Sequence, residues 1–600
     1  MLFIRNWIFL IALSIPFCIA TFLPEESLFE DSLFGESLFG TLGASPLPAF
    51  LTDNPLPNGY PWKLCSANNT DPKNSPNTGI TRHYNFTIKR GKAAPDGYEK
   101  DVILINGEFP GPLIEANWGD WIEVRMDNEI TEPEEGTSVH WHGFFQKETP
   151  WYDGVPSITQ CPIAPGSSFT YRFRAHVYGT TWYHAHYSGQ CSAGLTGPIV
   201  IYGPSHVEYD EDLGPIMVQD WFHKDYFTII EGVMSNDTAL QAQFSDNTII
   251  NGRMPYNCSL VTDGTPCSSN STYSKFKVTP GKTYKLRLIN TGAGGFQYFT
   301  IDGHNLTIIA NDFVPIQPYT VSSVVLGIGQ RSDVLFTPQG GSNDSIWMRK
   351  NQHGEFCART LQPEGKAIIL YDQAPLDSIP VTNATILPAD DGTCHNDPLN
   401  MTVPVYPSTP PEASVTYNIT IDQVTNATGH NLFEMNGSTF QANYNNPILL
   451  LANQKNYSYP YDPQWNVIDF GTNSSVRIYV FNNNDSPHPM HLHGHDMWVL
   501  HEGVGEWDGT IVNPENPQRR DTQNLPPHGH IVFQYNLDNP GVWVFHCHIA
   551  WHLSAGLSVS LMERPTEITQ LEIPFIMDQT CVDWDLYTSR NVVDQIDSGI

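Results

Sequence analysis

Three histidines and a cysteine fall within seven residues in the stretch 544–557, which reads VFHCHIAWHLSAGL. Successive side chains of a β-strand point to opposite faces of the sheet. On a strand, His546 and His548 therefore share one face and Cys547 occupies the other, while His552 follows close behind. The stretch predicts two ligand sites that are served by one short segment of chain.

Three further segments are rich in histidine: HWHG at 140–143, HAH at 184–186 and HPMHLHGH at 488–495. The four segments together hold eleven of the 22 histidines. Ten of them are the candidate ligands, namely His140, His142, His184, His186, His488, His491, His493, His546, His548 and His552. On a strand, each H-x-H pair presents two imidazoles to a common point. A single pair is as often a core or surface feature, but this set predicts metal ligands.

The ligand types favour copper. Two histidines and one cysteine thiolate in a trigonal arrangement form a blue-copper site, and His488, Cys547 and His552 supply these ligands. A structural zinc site would more often collect thiolates in C-x-x-C spacing, which the sequence lacks. The other eight histidines are too many for one ion and predict a cluster at a domain interface. Because Cys547 adjoins His546 and His548, electrons can pass between the two sites through a few covalent bonds.

An internal repeat predicts three similar domains. GDWIEVRMDN (119–128), GKTYKLRLIN (281–290) and SSVRIYVFNN (474–483) each read as an alternating strand with a central arginine. Most of the chain consists of short runs rich in Val, Ile, Tyr and Phe that are broken by Gly, Pro, Asn and Asp. This pattern is typical of all-β sandwich proteins.

The start of the chain predicts a secretory signal at residues 1–20, with a basic Arg5 before an apolar run. The run is short for a membrane span and contains Pro16, so a membrane anchor is the weaker alternative. Residues 21–79 contain the repeat ESLFE, DSLFG, ESLFG and predict a pro-segment or flexible arm, or else an interaction arm. Fifteen N-x-Ser/Thr sequons fit a secreted glycoprotein.

The formal charge of −33 argues against nucleic acids and anionic lipids as partners, because a phosphate-binding surface needs a basic footprint. No later segment approaches a membrane span, so we expect a soluble, secreted chain. Of the ten cysteines, Cys18 belongs to the predicted signal and Cys547 is a predicted metal ligand. The remaining eight suit disulfides outside the cell, with 105 possible pairings.

The motifs HWHG, HAH, HPMHLHGH and HCHIAWHLSAGL resemble those of the multicopper oxidases and, within them, the laccases of ascomycete fungi. This resemblance implies an all-β fold of three cupredoxin-like Greek-key β-sandwich domains. The implied parts are domains at 80–205, 206–380 and 415–580, a linker at 381–414 and a tail at 581–600.

The resemblance also implies four copper ions, one of type 1, one of type 2 and two of type 3. The implied type 2 ligands are His140 and His491. The implied type 3 ligands are His142, His184 and His548 for one ion and His186, His493 and His546 for the other. Leu557 matches the axial position of the blue copper, where some relatives carry Met, and a missing thioether donor should raise the potential.

Other residues gain roles from the same resemblance. Asp153 matches a carboxylate that delivers protons during O₂ reduction, although an Asp before Gly154 could equally serve a turn. Asp246 matches a carboxylate that accepts the phenolic proton, and some relatives use a Glu further along the chain instead. His552 would meet the substrate edge, with Trp551 as an apolar wall.

Two disulfides and a tail are implied in the same way. The implied pairs are Cys161–Cys581 and Cys357–Cys394; the partners of Cys65, Cys191, Cys258 and Cys267 stay open, with a local Cys258–Cys267 loop favoured. The last four residues, Asp597, Ser598, Gly599 and Ile600, resemble the tail that enters the solvent channel of the ascomycete enzymes. A frayed chain end is the alternative.

These features predict a secreted, monomeric laccase that oxidises phenols and related aromatics and reduces O₂ to water. A copper-binding electron carrier is a rival class, but it would need ligands for only one ion. A dedicated biosynthetic oxidase that couples one phenol is another alternative. Ferroxidase activity is a weaker one, because Ala550 stands where the fungal iron oxidases carry Glu.

Overall fold

The structure of the chain is a computed structural model. It describes residues 41–42, 75–352, 354, 357–389, 391–456, 463–593 and 595–600. The predicted signal at 1–20 and Cys65 lie outside the described residues, as does all of the predicted arm 21–79 apart from 41–42 and 75–79.

The strands fall into three consecutive sets, each made of two sheets. The first set comprises β1 (Thr81–Ala93), β2 (Lys100–Ile105), β3 (Ile114–Asn117), β4 (Trp121–Asn128), β5 (Val139–Trp141), β6 (Ser168–Arg174), β7 (Gly179–Ala185) and β8 (Thr196–Tyr202). Its sheets have the strand orders β2-β1-β4-β6 and β3-β8-β7-β5.

The second set has one strand more in one sheet than in the other. It comprises β9 (Glu211–Trp221), β10 (Asn247–Ile250), β11 (Ser274–Val278), β12 (Tyr284–Asn290), β13 (Gln297–Ile301), β14 (Leu306–Asn311), β15 (Val314–Val321), β16 (Val324–Leu326), β17 (Arg331–Phe336), β18 (Ser345–Asn351) and β19 (Glu364–Tyr371). The strand orders are β10-β9-β12-β17-β14-β15 and β11-β19-β18-β13-β16.

The third set repeats this division. It comprises β20 (Val415–Thr425), β21 (Asn431–Met435), β22 (Val467–Asp469), β23 (Ser475–Asn482), β24 (His488–Leu492), β25 (Met497–Val504), β26 (Gln518–Arg520), β27 (Thr522–Leu525), β28 (Gly529–Asn536), β29 (Gly541–Cys547) and β30 (Ser558–Glu563). The strand orders are β21-β20-β23-β28-β25-β26 and β22-β30-β29-β24-β27.

Helices are short and lie between or after the strands. They are α1 (Tyr226–Val233), α2 (Thr238–Gln241), α3 (Ile448–Asn453), α4 (Ala550–Ser554), α5 (Pro565–Ile568) and α6 (Phe575–Thr588). Single 3₁₀ turns occur at Pro150–Tyr152, Gln190–Ala193, Cys258–Leu260 and Pro463–Trp465. Within the described ranges, no helix is long and apolar enough to cross a membrane.

The three repeated sequences occupy equivalent places in the fold. They form β4, β12 and β23, and each of these strands pairs in parallel with the first strand of its set. Each also pairs antiparallel with a later strand, namely β6, β17 and β28. The alternating pattern of WIEVRMDN buries one face of β4 and leaves the other partly exposed. The all-β, cupredoxin-like fold predicted from the sequence is confirmed.

The hydrophobic core explains where a shared site can form. One continuous cluster joins buried residues of the first set, such as Trp141, to buried residues of the third set, such as Val544. Most of the second set packs around a separate cluster that includes Leu286 and Phe299. The first and third sets are therefore packed directly together, as a site with ligands from both requires.

Disulfides add covalent links. The structure contains both bonds expected from the resemblance, Cys161–Cys581 and Cys357–Cys394, and also the favoured local bond Cys258–Cys267. The first of them attaches α6 to the first set of strands. Cys191 keeps a free thiol, so the eight cysteines left for disulfides do not all pair.

Candidate metal centre

The histidine pairs occur where strands end. The first histidine of each H-x-H pair lies on a strand, and the second directly follows the last residue of that strand. The strands concerned, β5, β7, β24 and β29, end at Trp141, Ala185, Leu492 and Cys547. Strand register sets His140 opposite His184 in the first set and His491 opposite His546 in the third. Strand pairing therefore brings the two H-x-H pairs of each set side by side.

Eight of the predicted ligands form one buried cluster between the first and third sets. The imidazole centroids of His140 and His493 lie 3.9 Å apart, as do those of His142 and His491. Nε2 of His548 is 3.3 Å from Nδ1 of His142. Every one of the eight residues is between 0% and 7% exposed. The cluster is therefore closed to bulk water.

The imidazoles are held in the neutral form that binds metal ions. Burial is the largest cause that lowers the pKa of His142, His184, His186, His491, His493, His546 and His548. For most of them neighbouring imidazoles lower the pKa further, because two positive charges at this distance repel. Neutral histidines this close together offer several lone pairs to one point, so a bound cation stabilises the cluster.

Hydrogen bonds also orient the rings. Five Nδ1 atoms lie 2.8 to 2.9 Å from an oxygen, and they belong to His140, His184, His491, His493 and His546. A carbonyl or carboxylate oxygen only accepts, so Nδ1 carries the hydrogen and Nε2 keeps its lone pair. The buried Nε2 atoms of His140, His184 and His491 have no hydrogen-bond partner in the described part of the chain. These unpaired nitrogens fit metal ions.

Ligand atoms converge in several overlapping groups, each with atoms within 4.8 Å of one another. The groups are His140/His491/His493, His140/His142/His184, His186/His493/His546 and His142/His491/Asp521. The third group is one of the two type 3 sets expected from the resemblance. The ring of His548 lies 5.1 Å from that of His184 and beside His142, so the other expected set is also brought together.

A second candidate site lies beyond β29. Sγ of Cys547 is 3.4 Å from Nδ1 of His488 and 3.7 Å from Nδ1 of His552. The two Nδ1 atoms are 3.1 Å apart. Cys547 and His488 are fully buried, whereas α4 holds His552 at the edge of a cavity. The structure thus brings together the three residues predicted as the blue-copper ligands.

The thiol of this site needs a cation to ionise. Burial raises the pKa of Cys547 and lowers that of His488 to about 3. A metal ion reverses this preference, because a thiol that coordinates it loses its proton. Leu557, whose carbonyl accepts a hydrogen bond from the backbone N–H of Cys547, is fully buried beside the site. Its aliphatic side chain offers no ligand atom.

Asp153 contacts the histidine cluster directly. Its Oδ2 accepts a hydrogen bond of 2.8 Å from His493, and its backbone carbonyl accepts one of 2.8 Å from His140. The carboxylate is fully buried, and Oδ1 has no hydrogen-bond partner among the described atoms. Gly154, at φ +87°, allows the chain to turn here, since a Cβ would lie 1.9 Å from the carbonyl oxygen of Val139.

Asp521 was missed by the sequence reasoning. Its Oδ1 lies 3.2 Å from Nε2 of His142, and its carboxylate receives two hydrogen bonds of 2.6 and 2.7 Å from Arg331. Burial raises its pKa, while the Arg331 guanidinium opposes that rise. Nothing in the local sequence marks this residue, because it follows two arginines in a segment without histidine. The pairing of β24 with β27 places it beside His491, and packing of the first set against the third brings it to His142.

A cavity of about 260 Å³ opens beside the Cys547 site. His552 and Trp551 line it, and the ring of Phe433 lies 4.6 Å from that of His552. Asp246 is not among the lining residues, because its carboxylate accepts a hydrogen bond from the backbone of His223 at 2.7 Å.

A different carboxylate lies in this cavity. Asp485 is the acidic residue among those described as lining it. Its side chain is 82% exposed and accepts a hydrogen bond from His528. The sequence reasoning did not select it. The role predicted for Asp246 stays a prediction.

The tail is packed, so the frayed alternative is wrong. Asp597 accepts a hydrogen bond of 2.7 Å from Ser188, two residues after His186, and the N–H of Ser598 donates to the carbonyl of Ser554 at 2.8 Å. Ile600 is 1% exposed within the main hydrophobic cluster. The tail thus contacts segments that carry ligands of both sites. Its role as a channel plug stays a prediction.

Comparisons with known proteins agree with this geometry. Multicopper oxidase family profiles match residues 87–206, 212–374 and 408–567. Oxidoreductase OpS5 of Beauveria bassiana is 40% identical, and the match covers 90% of this chain and 91% of that protein. Laccase-2 of Botryotinia fuckeliana is 37% identical, with 88% and 90% covered.

A solved structure shows the same likeness. The laccase from Botrytis aclada aligns with a TM-score of 0.80 at 34% identity, over 88% of this chain and 96% of that one. The similarity therefore extends through all three sets of strands. Fold, site and sequence lead to one conclusion: this chain belongs to the multicopper oxidase family of oxidoreductases, whose cofactor is copper.

Proposed function

We propose that this protein is a secreted laccase, which oxidises phenols and related aromatics one electron at a time and couples four such oxidations to the reduction of O₂ to two waters. The observation that carries the proposal is that strand β29 and the residue after it contribute ligands to two sites. One is the His₂Cys trio at a cavity, and the other is the buried cluster of eight histidines. Copper bound at both sites supplies the storage of electrons and the reduction of O₂.

The ligands we propose are those of the sequence analysis, for four ions in total. The type 1 ligands are His488, Cys547 and His552. The type 2 ligands are His140 and His491. The type 3 ligands are His142, His184 and His548 for one ion and His186, His493 and His546 for the other. The convergence of unpaired buried nitrogens supports this assignment, and we propose the domain bounds 80–205, 206–380 and 415–580 with it.

The cavity is proposed as the substrate site. His552 presents its partly exposed edge there, and Trp551 with Phe433 gives the apolar contacts that an aromatic ring needs. A phenol that loses an electron becomes strongly acidic, so a carboxylate nearby can accept its proton. Asp246 is our candidate by resemblance, and Asp485 is the candidate by position in the cavity.

The protein's own residues connect the two sites. The backbone of Cys547 continues directly into His546 and His548, so a short covalent route runs from the cavity side to the cluster side. Asp153 lies within hydrogen-bond distance of His493 and is closed to solvent. We propose that it holds a proton beside the cluster for delivery to reduced oxygen.

The test is a preparation of the secreted, copper-loaded protein. We expect four copper ions per chain, a blue absorption band and oxidation of 2,6-dimethoxyphenol with one O₂ consumed per four phenols and no hydrogen peroxide. One copper per chain would support the electron carrier instead. Turnover of one bulky polyphenol but not of simple methoxyphenols would support the dedicated phenol-coupling oxidase.

A ferrous salt completes the panel. We expect slow oxidation of Fe²⁺ relative to 2,6-dimethoxyphenol, because Ala550 stands in the helix that carries His552 and offers no carboxylate for a cation. Preferential oxidation of Fe²⁺ would overturn the proposed substrate class while leaving the family membership intact.

A further inference from the structure

The cavity beside His552 is unusually polar for a site that receives an aromatic ring. Beyond Trp551 and Phe433, its lining includes the amide or charged side chains of Gln241, Gln243, Arg359, Gln423, Asn431 and Asp485. A pocket that binds a purely apolar aromatic is lined mainly by hydrophobic side chains and has few polar groups. This lining instead suits a ligand that carries several polar substituents.

Arg359 is the cation of this lining. No carboxylate of the described residues forms an ion pair with it, and burial alone lowers the pKa of its guanidinium. The chain contains 63 acidic and 30 basic residues, so partners are plentiful elsewhere. A partly buried guanidinium without a counter-ion costs free energy unless a ligand compensates it.

The backbone of Arg359 is held by two hydrogen bonds. Its N–H donates to Oε1 of Gln352 at 3.2 Å, and its carbonyl accepts a hydrogen bond of 2.8 Å from the N–H of Ser245. The side chains of Arg359 and His552 line the same cavity. Arg359 therefore presents a positive charge near the proposed site of electron transfer.

Asp485 does not cancel this charge. Its carboxylate is engaged with Nε2 of His528 at 2.7 Å and points toward solvent, with 82% of the side chain exposed. The cavity is thus lined by an exposed carboxylate and by a partly buried guanidinium that forms no ion pair with a described carboxylate. Such separation of charges orients a ligand that has an anionic end.

We propose that Arg359 binds the carboxylate of an anionic aromatic substrate, so that the preferred phenols of this enzyme are phenolic acids. This inference rests on the proposed function. A guanidinium can bind a carboxylate through two parallel hydrogen bonds, and the surrounding amides can bind hydroxyl or methoxy substituents. The carboxylate is not consumed: each phenol loses one electron and its hydroxyl proton to give a phenoxyl radical, and four of these electrons with four protons reduce one O₂ to two waters.

The test uses the copper-loaded enzyme with ferulate and methyl ferulate, which differ only in the charged group. We expect the KM of ferulate to lie about tenfold or more below that of the ester, since a charge-assisted hydrogen bond is the stronger kind. Arg359→Gln should remove most of this ratio, and Arg359→Lys should keep part of it. Arg590→Gln is the matched control, because Arg590 is exposed and does not line the cavity.

Binding without oxidation gives an independent measurement. 3,4-Dimethoxybenzoate has no phenolic hydrogen, and calorimetry should show that it binds the wild type at least tenfold more tightly than its methyl ester does. Arg359→Gln should abolish that difference. Equal binding of acid and ester by the wild type, or an unchanged preference in Arg359→Gln, would overturn the inference.

The two proposals fail differently. If the copper-loaded enzyme oxidised neither ferulate nor its ester, the proposed laccase function would be wrong, and the calorimetry would still decide whether Arg359 binds carboxylates. If both compounds were oxidised with equal KM, the function would stand and the inference would fall.

Discussion

Asp153 accepts a hydrogen bond from Nδ1 of His493 across 2.8 Å, although the two residues are 340 positions apart in the chain. The contact joins the first set of strands to the third inside the histidine cluster. It also fixes the orientation of the His493 ring and leaves Nε2 directed at His546, 3.1 Å away. This carboxylate therefore orients a ligand of the cluster, and the proton delivery proposed for it stays a prediction.

We expect Asp153→Ala to slow the reoxidation of the reduced enzyme by O₂ by about 10²-fold, because a positioned acid typically contributes that much. Reduction of the blue copper by phenol should stay nearly unchanged. Stopped-flow absorbance separates the two half-reactions, and Asp377→Ala on the exposed surface serves as the control. If reduction by phenol slowed while reoxidation by O₂ stayed normal, the assignment of Asp153 to the histidine cluster would be wrong.

Cys547→Ser should abolish the blue absorption band and phenol oxidation, because a serine hydroxyl does not replace the thiolate as a copper ligand. The other three copper ions should still bind, which metal analysis can count. Cys191→Ser is a matched control, since Cys191 is the other free thiol that the structure describes. A blue band in the Cys547 variant would refute the assignment of that site.

Leu557→Met should lower the potential of the blue copper, because the thioether adds a weak axial donor that favours the oxidised ion. Poor phenolic donors should then react more slowly. A redox titration measures the change, and Leu561→Met, also buried but on β30, tests for a general effect of the substitution. A potential that rises or stays constant would mean that Leu557 is not axial.

Asp597→Asn should change how stability depends on pH. Burial raises the pKa of Asp597 from 3.8 to about 6, so the folded state holds this proton more tightly than the unfolded state. The wild type should therefore lose up to about 3 kcal/mol of stability as pH rises from about 4 to about 6. The variant lacks this ionisation, so the Tm of the variant should rise relative to that of the wild type as the pH increases over this range. Parallel Tm curves would contradict the raised pKa.

Deletion of residues 597–600 should weaken the cluster more than the substrate site. The burial of Ile600 alone contributes about 1.5–3 kcal/mol to stability. The carbonyl of Gly599 also accepts a hydrogen bond of 2.8 Å from the hydroxyl of Tyr444. We expect faster thermal inactivation, copper loss and altered O₂ kinetics with little change in the KM of phenol. Ile600→Ala separates the packing contribution. Unchanged O₂ kinetics and copper retention would mean that the tail is not a plug.

Short-range patterns allowed the ligands to be predicted from the sequence. Residues that are two positions apart on a strand share a face, so the spacing of His140 and His142 already implied that their imidazoles converge. The paired register of β5 with β7 and of β24 with β29 then assembled the cluster from four such pairs. Period-two alternation, repeated in three sequences, predicted three similar all-β domains, and the resemblance to the multicopper oxidases implied that they are cupredoxin-like.

Long-range contacts could not be predicted in this way. Asp521 reaches His142 only through packing between sets of strands, and no local spacing encodes that contact. Asp246 was chosen because its segment matches that of relatives, but its carboxylate turns to the backbone of His223. The tail has polar residues at its start, which suggested fraying, yet Asp597 is buried because Ser188 and the N–H of Gly599 satisfy its oxygens.

The disulfide between Cys161 and Cys581 has a kinetic consequence for this tail. It fixes α6, so only residues 589–596 separate the end of that helix from Asp597. A segment tethered so closely returns to its binding place at an effective concentration in the millimolar range. The tetrapeptide Asp-Ser-Gly-Ile added at micromolar concentration should therefore fail to displace the tail while the disulfide is intact. Reduction of that bond would leave the tail tethered only through the backbone that follows β30, and this longer tether gives a lower effective concentration.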